Sequence, residues 1–499
     1  MSFLKKLAGD TVLYGISSIV GRLLNWLLLV VHTRVFEQPR LLSDNAQLYT
    51  FVIGLNVIYT FGMETAFFRF ASKKENQNEY FNIILTFIIL VGGTLSTIFI
   101  LGATPFIEAL GYPGKERLIE WLAVIIAVDA ICAIAFVKLR AHNKARRFVK
   151  IKLLGISINI GLNVFYFMFC NYILSDLFLP DLKPFAAYFY DPAIGPDYII
   201  WANYVASLLT LLLLWKEFVG FRFTWNWKKF KPVLNYAYPL LILGLAGAIN
   251  LTADRIMFRS LLPDGFYPGF NTEDSFSIYA NVYKLSIFMV LVVQAYRYAA
   301  DPFFFSKMGD KNSPNMIAIS TKWFTIASIL IWLGVSLNLD WIGLLIGATY
   351  RSGLAVVPVL LLANLFIGVY GNISIWYKLT DMTYYGTWIT IGGMSLTIIL
   401  NIILIPIYGY MGCAITFAIS SFLMVALSYF YGQRNFKVPY ELNRILLYLL
   451  IAGLLLFIDS LIEFSSLKQS VPVHLLLCAG FIGFIYFMEK GKFNQLTQE

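Results

Sequence analysis

GRLLNWLLLV, Gly21 to Val30, lies inside an apolar run that extends from about Val12 to Phe36. At about 1.5 Å per residue a helix of that length crosses a hydrocarbon layer of roughly 30 Å. Arg22 sits well inside the run. A cation near the middle of a bilayer costs at least a few kcal/mol. A partner, water or a ligand must offset that cost, so the stretch poses two questions at once: what kind of helix this is, and what its arginine faces.

The rest of the chain answers the first question. Of 499 residues, 59% are hydrophobic, 17% aromatic and 13% charged, whereas soluble domains carry about a quarter charged residues. Mean hydropathy is +0.72. Fourteen segments reach spanning length, at about 11–36, 47–70, 81–104, 118–139, 151–174, 197–216, 233–261, 276–300, 321–339, 355–377, 384–405, 411–431, 442–462 and 471–488. They are called span one to span fourteen below. The apolar segment 341–354 is too short to add another. The fold class expected is therefore an all-α polytopic membrane protein.

Charge placement orients it. With Lys5 and Lys6 in the cytoplasm, inward segments hold 25 Lys/Arg and 10 Asp/Glu, and outward segments hold 7 and 15. This is the asymmetry of the positive-inside rule. The densest cluster, Lys138, Arg140, Lys144, Arg146, Arg147, Lys150 and Lys152, follows span four. It reads as a topology signal with affinity for anionic lipid head groups. The net charge of +10 is thus membrane-edge charge, and no nucleic-acid partner is expected. Both termini are expected in the cytoplasm, and the first span reads as an uncleaved signal anchor. The longest predicted loop, SDLFLPDLKPFAAYFYDPAIGP (Ser175–Pro196), faces outward and leaves no room for a soluble catalytic domain.

Six basic residues (Arg22, Arg34, Arg69, Arg255, Lys284, Arg297) and three acidic ones (Glu64, Asp129, Asp254) remain deeper in the spans. In span one, Ser18, Arg22, Asn25 and His32 share a helical face. In span seven, Gly244, Gly247, Leu251 and Asp254 do so, with Asn250 beside them. In span eight, Tyr279, Tyr283, Ser286, Gln294 and Arg297 line up, with Lys284 adjacent. Arg255 follows Asp254 but projects about 100° away on a helix. Such charges must meet a partner or water. For Arg22 the structural reading is an ion pair with Asp129 or Asp254; the functional reading is a hydrated cavity that receives an anion. Near the helix ends, Arg34, Arg69 and Arg297 can also snorkel, and Glu64 can pair with an arginine of another helix.

A five-residue repeat organises the chain. FFRFA (Phe67–Ala71) ends span two, and AYRYA (Ala295–Ala299) ends span eight. Two pseudo-symmetric six-helix lobes follow, at 1–218 and 219–436, with two additional helices and a tail at 437–499. Repeats of this kind are typical of transporters. Arg and Lys suit phosphate, and Tyr suits sugar faces. No GxxxxGK[ST] motif occurs, so energy is expected from an ion, H⁺ or Na⁺, with Asp129, Glu64 and Asp254 as coupling candidates. No cofactor is expected. Cys132, Cys170, Cys413 and Cys478 are scattered, and neither a disulfide framework nor a metal-binding spacing appears.

GDTVLYGISSIVGRLLNWLLLVVHTRVF (Gly9–Phe36), FGMETAFFRFA (Phe61–Ala71), IYANVYKLSIFMVLVVQAYRYAADPFFF (Ile278–Phe305) and NIILIPIYGYMGCAITFAISS (Asn401–Ser421) resemble the polysaccharide and lipopolysaccharide biosynthesis flippases. These are Wzx-type O-antigen flippases and the related lipid II flippases, of the multidrug/oligosaccharidyl-lipid/polysaccharide exporter superfamily. The most family-like piece is N-x-x-L-x-P-x-x-G-x-x-G-[CA]-A, Asn401 to Ala414. The resemblance implies a bacterial inner-membrane flippase. Such a protein carries an undecaprenyl-diphosphate-linked saccharide to the outer leaflet by alternating access, alongside membrane lipids and other polysaccharide-assembly proteins. It also implies Arg22, Arg34, Arg69 and Arg297 as diphosphate ligands; Lys284, Arg255, Asn25 and Tyr283 complete the expected substrate site. Fourteen spans resemble the lipid II branch, although many Wzx-type members have twelve.

Two rivals differ in what they require. A multidrug or cation antiporter of the same superfamily needs a cavity dominated by acids, and here bases outnumber them. A membrane glycosyltransferase or polymerase needs clustered Asp, Arg or His in a large outward loop, and none is present. The chain is therefore not expected to be an enzyme.

Overall fold

A computed structural model describes residues 3–71, 77–142, 144–306, 312–462 and 464–496. Among them helices dominate and no strand forms. Fourteen helical stretches are long and apolar enough to cross a membrane, and each coincides with one of the expected spans. Without water in a bilayer every backbone N–H and C=O must bond internally, and the α-helix does this within one segment. The segment 341–354 forms no fifteenth span. Short helical turns at Gly343–Leu345 and Ala348–Val356 lead into the helix Val357–Ile373.

Contacts divide the chain into two compact units, Met1–Ser277 and Ile278–Glu499. The boundary falls later than the 218/219 division expected from the linker. Span seven, Trp227–Leu261, packs on span two, which explains the difference. A Cβ at Gly244 would come 2.8 Å from Val57, and one at Gly62 3.1 Å from Leu240, so glycines allow this close approach.

A core of the first unit joins spans two, three, four and seven through Tyr59, Phe67, Phe81, Ile88, Ile134 and Phe230. Span one packs on span five. Gly21 is buried there, where a Cβ would come 2.5 Å from Ile156 Cδ1, and His32 Nε2 lies 2.8 Å from Asn163 Oδ1. Span two is interrupted: Phe61 and Gly62 adopt positive φ values of 50° and 68°. A separate helix, Met63–Phe70, follows and carries FFRF of the repeat.

In the second unit, span eight is interrupted as well. Helix Thr272–Tyr283 gives way to a tight turn at Lys284–Ser286 and resumes as Ile287–Ser306. Both repeat motifs therefore follow a break in their span. The family-like stretch Asn401–Ala414 makes the turn between spans eleven and twelve. Gly409 has φ of 57°, which an L side chain rarely adopts, and a Cβ on Gly412 would collide with the Leu404 carbonyl. The last two helices, Leu442–Asp459 and Leu467–Leu496, are tied to span nine, Ser313–Leu337, by a buried ion network described below.

Candidate functional site

Gly21 and His32 turn one side of span one toward span five, and that packing leaves Arg22 and Asn25 on an exposed face. The two lie three positions apart and project together. Neither has a side-chain hydrogen bond or ion pair among the described residues. His32, expected on the same stripe, is buried instead, and Phe167 meets its ring edge-on at 5.4 Å. Arg34, in the last turn of this helix, is exposed.

Arg69 is exposed on the short helix after the span-two break. Its guanidinium carbon lies 4.3 Å from the centroid of the Tyr236 ring, a cation–π contact with span seven. Glu64, one turn earlier, pairs with Arg140 Nη2 at 3.3 Å. This is the cross-helix pair expected as the alternative to an ion-coupling role. Asp129 lies on an exposed position of span four and accepts a hydrogen bond of 2.9 Å from Ser207 Oγ of span six. Asp254 is buried, and its Oδ1 lies 3.5 Å from Nε of Arg255. The helical angle between adjacent residues suggested separate roles; the long arginine side chain folds back and closes the gap. Leu251, expected to share the face of Asp254, is exposed.

In the second unit the break at Lys284–Ser286 divides the stripe expected along span eight. Tyr279 and Ser286 are buried, whereas Lys284 is exposed and its Nζ donates to Asn281 Oδ1 at 2.9 Å. Tyr283 packs beside Tyr279 and Phe417. Arg297 is exposed and passes over Gly371, where a Cβ would come 3.9 Å from its Cδ. Within the first unit, then, Arg22 and Asn25 share a face and Asp254 is joined to Arg255; neither Asp129 nor Asp254 serves Arg22. Arg22, Arg34, Arg69, Lys284 and Arg297 are all exposed.

Two polar clusters were not anticipated. At one end of the first unit Lys115 bridges Asp44 and Asp197. Beside them Arg259 reaches Gln47, the Leu110 carbonyl and, at 2.9 Å, Glu273. In the second unit Lys322 is buried in span nine, 2.6 Å from Glu489 and 3.1 Å from Glu441. Glu489 also accepts from Arg444 at 2.9 Å and from Tyr448 at 2.7 Å. The available signal was weak: each of these groups lies near a span end, where a lone charge reads as an interfacial one. All four cysteines are free, and no group of three or more His, Cys, Asp or Glu among the described residues is arranged to hold a metal ion.

No protein-family model and no curated protein matches this sequence. Solved structures do share its fold. One is the lipid II flippase MurJ in an inward closed conformation, with a TM-score of 0.72 at 16% identity over 95% of this chain and 99% of that one. Another is a multidrug resistance MATE family transporter of the MOP superfamily, inward-facing, with a TM-score of 0.60 at 12% identity over 83% and 97%. The Vibrio cholerae MATE transporter VcmN matches with a TM-score of 0.57 at 13% identity over 86% and 98%. At these identities the likeness is one of fold. It is the fold expected from the sequence, and the proteins that share it are transporters and a flippase.

Proposed function

We propose that this chain is a flippase that moves an undecaprenyl-diphosphate-linked saccharide across a bacterial inner membrane by alternating access. The observation that carries the reading is the exposed face of Arg22 and Asn25, at span depth and with no partner among the described residues. Hydrocarbon cannot accommodate an exposed guanidinium, so this face belongs to hydrated space. There the planar fork of donors suits a diphosphate. Arg34 and Arg69 of the first unit are also exposed, and in the second unit Lys284 and Arg297 are exposed as well, so each unit by itself offers cations to an anionic substrate. Tyr283 supplies an aromatic surface for sugar.

The shared fold covers 95% of this chain in the lipid II flippase structure and 83% in the inward-facing MATE transporter. Two of the three deep acids are engaged by arginines, Glu64 by Arg140 and Asp254 by Arg255. That leaves little acidic character to attract a cationic drug. Asp129, exposed and hydrogen-bonded only to a hydroxyl in the contacts described above, is the foremost candidate to couple transport to H⁺ or Na⁺. The charge asymmetry of the loops supports an orientation with both termini in the cytoplasm.

The test is depletion in the native cell. The expected outcome is accumulation of a diphosphate-linked saccharide accessible only from the cytoplasmic side. Export of a soluble cation with no change in lipid-linked saccharide would refute the reading. Coupling is tested in proteoliposomes: Asp129→Asn should make flipping insensitive to the imposed ion gradient, while Glu64→Gln and Asp254→Asn should not.

A further inference from the structure

In the second unit a polar cavity lies at the ends of spans nine, thirteen and fourteen. It encloses about 370 Å³ and is lined by Ser336, Asp340, Asp459, Phe464, Ser470 and His474, among others. His474 is 3% exposed. Its Nε2 lies 3.0 Å from Asp459 Oδ1. An ionised carboxylate only accepts, so Nε2 carries the hydrogen. With a hydrogen on Nε2, Nδ1 carries a lone pair in the neutral ring and a second hydrogen in the protonated one. It is buried without a hydrogen-bond partner, and Asp340 Oδ2, at 4.0 Å, is out of reach. Ser336 Oγ is likewise buried without a partner. Asp340 takes hydrogen bonds from Ser470 Oγ and, at 2.8 Å, from the Trp341 amide. Among the described residues neither Asp340 nor Asp459 pairs with a lysine or an arginine.

In either state the cavity lacks two things, a hydrogen-bond partner for Nδ1 and enough positive charge for two carboxylates, which face at most one cationic side chain among the described residues. A water supplies the first but not the second. A divalent metal could take both a ring nitrogen and the carboxylates, but no three ligating groups converge to hold one among the described residues. To the neutral ring a primary ammonium supplies both, because it carries one charge and three donors on a compact centre. We propose that this cavity is a binding site for a primary ammonium group. The cavity is too small for a whole lipid but ample for a head group. Spans thirteen and fourteen present exposed Leu461, Leu467, Leu475 and Leu476 around it, which would put lipid beside its opening. The ammonium can come from the head group of a membrane aminophospholipid or from a free amine.

The full chain in nanodiscs distinguishes these. One set contains phosphatidylethanolamine, the other phosphatidylcholine, which has the same charge but no N–H. After dilution into detergent, retained lipid is measured by mass spectrometry, with and without free ethanolamine. Retention of phosphatidylethanolamine about tenfold above phosphatidylcholine is expected, the factor for one charge-assisted hydrogen bond. Resistance of that retention to millimolar ethanolamine identifies the lipid as the source. Displacement by ethanolamine identifies a site open to free amines. Asp340→Asn and Asp459→Asn should each remove the preference while the unfolding temperature stays near that of the parent. Equal retention of the two lipids by the parent, with no ethanolamine binding, would overturn the proposal, as would a preference that survives both substitutions together.

Discussion

Arg22 and Lys322 are both cations within helices that qualify as membrane spans, and they are treated in opposite ways. Lys322 is buried and held by two carboxylates, Glu489 at 2.6 Å and Glu441 at 3.1 Å. Arg22 is exposed, and no carboxylate meets it among the described residues. A buried charge survives only when its field is cancelled locally. An exposed charge at that depth survives only where water reaches it. The difference sorts deep charges into two classes. Lys322 is satisfied by the protein and has nothing left to offer a substrate. Arg22 is satisfied by nothing in the fold that the structure describes, which is the condition for meeting a ligand.

The largest effect is expected where the comparison is broken from the Lys322 side. Glu489→Ala removes the acceptor shared by Lys322, Arg444 and Tyr448. It leaves the buried ammonium with Glu441 as its remaining carboxylate, with an expected loss of about 3 kcal/mol of stability. Chemical unfolding in detergent, followed by tryptophan fluorescence, measures it. Lys322→Met combined with Glu489→Leu should recover part of that loss, because the buried ammonium is gone while Tyr448 and Arg444 still lack their acceptor. Failure of the double variant to recover would assign the network a role beyond charge cancellation.

Next comes the Arg22 side. Arg22→Ala should leave expression and unfolding unchanged and reduce flipping about 10- to 100-fold, the worth of hydrogen bonds from a charged donor. Arg22→Lys should retain part of the activity, since a point charge replaces the bidentate fork. The readout is flipping of a labelled lipid-linked saccharide in proteoliposomes. If Arg22→Ala instead fails to accumulate in the membrane, and neutralising Asp129 or Asp254 restores it, Arg22 is a strut like Lys322.

All fourteen spans were legible, because length and hydropathy determine what can cross a bilayer and the chain has few charges to confuse the count. The site was legible only in part. Arg22 and Asn25 were visible because their helix is otherwise apolar. Lys322, Glu441, Arg444 and Glu489 were not: each lies near a span end, where snorkelling is the simpler reading, and only packing brings spans nine, thirteen and fourteen together around them. The stripe of span eight is divided because helical periodicity assumes an unbroken helix, and a tighter turn intervenes at Lys284–Ser286. The seventh span joined the first unit for a reason that a linker cannot reveal, the fit of Gly244 against Val57.

The smallest effect is expected at Glu64, which falls between the two extremes. Its partner Arg140 lies at 3.3 Å, but the two side chains are 42% and 36% exposed. An ion pair this open is worth about 0–1 kcal/mol and weakens as salt screens it. Arg140 also lies near the Phe68 ring, its guanidinium carbon 5.0 Å from the centroid, so it keeps a contact when the carboxylate is gone. Glu64→Gln should therefore shift stability by less than about 0.5 kcal/mol, within the range of ordinary surface substitutions. Flipping should be unaffected. Arg140→Ala provides the control, since it frees the same carboxylate without removing it. If Glu64→Gln stops ion-driven flipping while Arg140→Ala does not, the carboxylate has a function that its pairing conceals, and exposure rather than partnership becomes the better guide to which deep charges of this chain do work.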